Sequence, residues 1–120
     1  MTELHKTAFP QTKDAQTVQV KIQRLDDIAK TLEMTQPLML KIDVQGFEDR
    51  ILRGGEQTVA RADVILIETS LEKLYEGQPL FDEIYNYLVK CGFTYAGSFD
   101  QLHHPQSGVI LQQDSIFVRR

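Results

Sequence analysis

The sequence predicts an α/β sheet that runs parallel at first and ends in an antiparallel strand pair. Three observations carry this. Two short, almost continuously apolar runs, Leu38–Val44 and Val64–Ile67, each end at a carboxylate, and about twenty residues of helical pattern separate them. Such runs are too short for free-standing helices and suit strands covered on both faces of a parallel sheet. An amphipathic helix over Pro79–Cys91 follows, then two further strand-like segments joined by a loop containing Pro105 and Gly108.

Taken in order, residues 1–16 are polar, carry Pro10 and show no sustained period, so they predict a flexible N-terminal arm. Residues 17–120 form the expected domain. Val18, Val20 and Ile22 alternate within Thr17–Ile22, the period of a strand with one buried face. Leu25, Ile28, Ala29 and Leu32 then recur at helical spacing, with Asp26 and Asp27 where a helix N-terminus favours negative charge. After the Leu38–Val44 run, Gly46 permits a tight turn, and Phe47, Ile51 and Leu52 share a helical face until Gly54-Gly55 interrupts it. In the Pro79–Cys91 helix, Phe81, Ile84, Tyr85 and Leu88 line one side, Pro79 is placed for the first turn and Gly92 for the left-handed position past the end. Phe93–Gly97 and Asp114–Val118 are the expected last strands.

Composition narrows the function classes. The chain has 120 residues, one domain's worth, with 13 basic against 17 acidic side chains and a formal net charge of −4. The absence of a basic stripe argues against nucleic-acid and anionic-membrane binding. One cysteine, Cys91, excludes an intrachain disulfide and fits a reducing, cytoplasmic setting. No apolar run approaches the length that spans a bilayer, and the first twenty residues lack the apolar core of a signal peptide.

Ligands of open α/β sheets gather outside the carboxyl ends of parallel strands, which singles out Asp43, Glu48 and Glu68. Strands about 4.8 Å apart would let Asp43 and Glu68 meet around a cation or a substrate hydroxyl; both also suit a solvated rim. Glu48 suits either chemistry or a cap on the helix after Gly46. Lys41, on an otherwise apolar strand, predicts a structural ion pair. His103-His104 reads as loop, because adjacent side chains on an extended chain point apart and no cysteine or third histidine lies near. No metal site is expected. Tyr75, Tyr85, Tyr87 and Tyr95 read as packing residues.

The stretch Leu40-Lys41-Ile42-Asp43-Val44-Gln45-Gly46-Phe47-Glu48 resembles the signature of the FkbM family of S-adenosylmethionine-dependent methyltransferases. Leu25-Asp26-Asp27, Gly54-Gly55, Val64–Glu68, Tyr75–Phe81 and Gly92-Phe93 resemble further family segments in order, with Gln45 standing where the family usually has Glu. The resemblance covers about residues 17–120 and implies a partial class I methyltransferase (Rossmann-like) sheet. The family's strand order is 3-2-1-4-5-7-6, and this chain matches only from just before strand 4. The first strand with its Gly-containing loop and the acidic end of strand 2, which hold the cofactor, have no match. In complete relatives the resemblance implies O-methylation of a hydroxyl on a sugar or secondary metabolite. Asp43, Glu48 and Glu68 would stand at the catalytic edge, the cofactor-binding residues being undefined and binding by this chain alone not expected. The alternative is a non-catalytic binding or assembly module. In either case the Leu38–Val44 strand loses a neighbour, which predicts that Val18–Ile22, a second copy in a homodimer or a partner chain covers its edge.

Overall fold

The computed structural model describes residues 16–120, so the expected arm over 1–16 lies almost wholly outside the described residues. Four strands, β1 (Met39–Ile42), β2 (Val64–Ser70), β3 (Phe93–His103) and β4 (Ile110–Arg119), form one mixed sheet in the order β1-β2-β4-β3. β1 and β2 are parallel, with Met39 opposite Val64 and Ile42 opposite Ile67. β4 runs antiparallel to both β2 and β3. The sheet is thus parallel at first and antiparallel at its end, as the sequence predicts.

Among the described residues, four helices complete the layer: α1 (Leu25–Ala29), α2 (Glu48–Arg53), α3 (Glu56–Arg61) and α4 (Phe81–Lys90). The core is continuous from Ile42, Ile65, Ile67, Phe93 and Phe117 of the sheet to Leu52, Val59, Ile84 and Leu88 of the helices. Alternation along the strands then sends Met39, Lys41, Val64, Leu66, Glu68, Asp114, Ile116 and Val118 to the opposite face, where every one is partly or fully exposed. The expectation that Leu38–Val44 is covered on both faces is therefore corrected. Its helices lie on one side, and Met39 remains 60% exposed.

A second correction concerns Thr17–Ile22, which forms no strand. Val18, Val20 and Ile22 are 75–92% exposed and pair with nothing in the sheet, because alternation specifies a strand only where a surface exists to bury its apolar side. That segment leaves the outer edge of β1 uncovered among the described residues. α1 stops at Ala29, short of the periodic Leu32, which is exposed. α4 starts at Phe81 with Leu80 as N-cap, leaving Pro79 just outside the helix, while Gly92 takes the expected left-handed conformation at φ 94°. The last two strands extend well beyond their apolar cores, and the turn between them is held by His104. Its backbone pairs with Val109, and its Nδ1 accepts from the backbone N–H groups of Gln106 and Ser107.

Two polar clamps tie the helical layer together. Asp26 of α1 is buried, and it accepts from the Thr58 hydroxyl at 2.7 Å and from the backbone N–H groups of Thr58 at 2.8 Å and Gln57 at 3.1 Å. These are orphan donors of the first turn of α3, whose own N-cap, Gly55, has no side chain to satisfy them. Leu25 packs against Gly55 so closely that a Cβ there would lie 2.6 Å from its Cδ2. Arg119 of β4 works at the other end. Its guanidinium donates to the carbonyls of Val59, Ala62 and Cys91 at 2.8–3.0 Å and stacks 4.2 Å over Phe93, closing the last turns of α3 and α4 together.

Candidate active site

The parallel register places Asp43, the residue after β1, beside Glu68 in β2, as the sequence predicts. Asp43 acts on Glu68 both at hydrogen-bonding range and through its charge. Glu68 also stands directly opposite Asp114 of β4, so three carboxyl groups share the open-face corner of the sheet. Burial, the bond to Asp43 and the charges of Asp43, Glu48 and Asp114 together push Glu68 up to about 8. At neutral pH it therefore holds a proton. Burial raises Asp114 as well, helped by Asp43 and Asp100 and opposed by Lys41. Lys41 forms no ion pair among the described residues. Its exposed ammonium acts on Asp114 through space instead of making the predicted close pair.

Glu48 is placed differently. It is buried at the start of α2, and its carboxylate turns back to accept from the N–H of Gly46 at 3.1 Å and, more weakly, from Val44 at 3.4 Å. Burial raises its pKa, with these backbone bonds opposing. Glu48 thus holds the turn after β1 in shape, which fixes where Asp43 points. That turn is unusual: Gln45 (φ 53°) and Gly46 (φ 107°) are both left-handed. A Cβ on Gly46 would lie 2.8 Å from the Cβ of Tyr75. Glycine is required there for conformation and for space.

Tyr75 was read from the sequence as packing, yet its hydroxyl donates to Gln45 Oε1 at 3.3 Å. Burial, then Glu68, Glu48 and Asp43, raise its pKa, which places the phenol among the carboxylates. Buried Gln78 positions it by accepting from the backbone N–H groups of Leu74 (2.7 Å) and Tyr75 (3.2 Å) while donating to Ser70. The only sequence sign of this role is Tyr75–Phe81 falling among the family-like segments. Beside Glu68 and Asp114, Asp100, Gln101, Leu102, Gln112 and Gln113 line a hollow of about 140 Å³, and buried Gln112 Oε1 has no hydrogen-bond partner among the described residues. No group of side chains suited to hold a metal ion occurs among the described residues. His103 and His104 lie at the β3–β4 hairpin turn, beyond the carboxyl end of β2.

Comparison with protein families matches residues 2–95 to the Methyltransferase FkbM domain. The chain belongs to the FkbM methyltransferase family. Among curated proteins, this FkbM-family chain is similar to the 2-O-methyltransferase NoeI of Sinorhizobium fredii (strain NBRC 101917 / NGR234), with 34% identity over 61 residues. Those residues are 51% of this chain and 25% of the relative, so the match spans a quarter of that protein's length. No solved structure matches. No helix among the described residues is long and apolar enough to cross a membrane.

Proposed function

We propose that the chain forms the acceptor side of an S-adenosylmethionine-dependent O-methyltransferase acting on a hydroxyl of a sugar or secondary metabolite. The observation that carries this is the Asp43–Glu68 pair, two carboxyls side by side on adjacent parallel strands, Glu68 raised to about 8, beside the Tyr75 phenol. A carboxylate so placed accepts a hydrogen bond from an incoming hydroxyl, orients its lone pair and takes up its proton. Glu68, being protonated, offsets the charge that Asp43 would otherwise face. Glu48 is a positioning residue that holds the Gln45-Gly46 turn.

When bound, S-adenosylmethionine supplies an electrophilic methyl group. The acidic, tyrosine-bearing corner fits the positive end of that molecule, whereas no residues described here are arranged to hold its adenosine. We therefore propose that further strands reach the site across the open edge of β1, from a second copy or a partner chain. The single cysteine supports a reducing, cytoplasmic setting for the assembly.

The test is calorimetric titration of the chain with S-adenosylhomocysteine over a range of protein concentrations, with Asp43→Asn as the companion in a methyl-transfer screen of hydroxylated sugars. One-to-one micromolar binding that grows with the associated fraction, and a loss of about 100-fold or more in rate for D43N, are expected. Absence of binding at every concentration overturns completion by a second copy, and full activity in D43N overturns the role of Asp43.

A further inference from the structure

A second concavity lies on the other side of the Gln45-Gly46 turn. It has a volume of about 520 Å³, within the range of small-molecule sites, and an overwhelmingly apolar lining. Leu25, Ile51 and Gly54 lie toward the helices, with Val20, Ile22 and Phe47 exposed around them. Two charged side chains complete the lining, Arg24 and Arg50, and no carboxylate contributes to it. The groove is built as well as open. Asp26 N–H bonds the Gly54 carbonyl at 3.0 Å, and Gly54 comes close enough that its Cβ position lies 3.7 Å from the Arg24 Cα, fixing the extended segment against the end of α2. Arg50 is held flat over the Phe47 ring, 4.7 Å from its centroid. Neither guanidinium forms an ion pair among the described residues; Arg24 acts on Asp26 only through space, and that carboxylate is already engaged by Thr58 and Gln57.

We infer that this groove binds a free alkyl carboxylate of medium chain length, its tail against Leu25, Phe47 and Ile51 and its head between Arg24 and Arg50. An apolar trough with two guanidinium groups in its lining complements such a molecule in both parts, since a planar carboxylate accepts from an arginine fork bidentately. An anionic bilayer fits less well, because the groove carries only two basic side chains and the chain is negative overall. The inference is independent of methyl transfer.

Titration of the full chain with decanoate, below the concentration at which it forms micelles, tests this by calorimetry. Saturable one-to-one binding is expected, weakened about tenfold in Arg24→Gln and again in Arg50→Gln, each removing one charge-assisted contact. Circular dichroism of both variants should match that of the parent, since neither arginine bears on the core. Decanol binding as tightly as decanoate, or unchanged binding in both variants, overturns the assignment of the head group. No decanoate binding overturns the inference outright. In that case self-association sensitive to Ile22→Glu would assign the groove to a second copy, and sedimentation only with anionic vesicles would assign it to a lipid surface.

Discussion

Asp26→Ala should unfold the helical layer from a position remote from the site. Asp26 serves three donors belonging to the first turn of a helix 31 to 32 positions later in the chain, at 2.7, 2.8 and 3.1 Å. Losing a helix cap costs about 0.5–2 kcal/mol, and leaving buried donors without an acceptor costs about 1–3 kcal/mol more. Water reaches part of this site, so we set the expected loss at about 3 kcal/mol, which in a domain of this size lowers Tm by roughly 12–24 °C. Asp26→Asn keeps one acceptor oxygen and should lose about half as much. The pH dependence provides an internal control. Burial opposes ionisation of Asp26, but the bonds from Thr58 and Gln57 outweigh it and hold its pKa below the ordinary 3.8. A depressed carboxylate stabilises the fold above its unfolded pKa and loses that contribution as pH falls through the folded value. The gap between the parent chain and D26N should therefore be full at neutral pH and close in strong acid. Urea denaturation followed by far-ultraviolet circular dichroism measures both. A loss under about 1 kcal/mol at pH 7 for D26A would refute the view that α1 serves as the cap of α3.

The acid corner should titrate in the opposite sense. Because Glu68 is pushed up to about 8, its contribution is complete below its unfolded pKa and disappears as pH rises through 8, so the parent loses stability over that span while Glu68→Gln does not. Carbon-13 NMR of the Glu68 carboxyl should show a midpoint near 8 that falls in Asp43→Asn, and an ordinary midpoint in the parent would reject the buried acid corner. Gly46→Ala combines a left-handed backbone with a 2.8 Å approach to Tyr75 and should cost about 2–3 kcal/mol by the same urea assay. Arg119→Lys should destabilise nearly as much as Arg119→Ala, about 2–4 kcal/mol, because one ammonium cannot meet three carbonyls and a ring face from a single position. Thermal melts of the two variants that differ widely would reject the clamp.

What the sequence disclosed and what it hid follow a physical rule. The β1-β2 unit and its acid ends were legible because an apolar run bounded by a carboxylate records burial and its limit in adjacent residues. Val18–Ile22 misled because a period of two describes only which side would be buried. β3 was underestimated because polar Ser98, Asp100 and Gln101 lie in a strand whose outer half is exposed, with register shifts that break alternation. Asp114 reads only as a strand start and Tyr75 only as packing, because tertiary pairing and a loop held by Gln78 bring them to the corner and neither leaves a local pattern. Asp26 looked like a dipole partner for its own helix. It turned out to be the cap of another.

The place of β4 in the sheet sets an order of events during synthesis. β2 and β3 are not neighbours, and β4, the last of the four in sequence, fills the gap between them. Until it emerges, β3 has no partner among the described strands and β2 exposes the edge that β4 will take. The carbonyls of Val59, Ala62 and Cys91 likewise wait for Arg119, which lies 60, 57 and 28 positions later. A nascent chain stopped just short of Ile110 would therefore hold two open strand edges and two unfinished helix ends at once. Long-range closure of this kind slows folding and leaves sticky surfaces exposed on the ribosome. A sheet completed from the middle keeps its inner strand edges open until Ile110–Arg119 is in place.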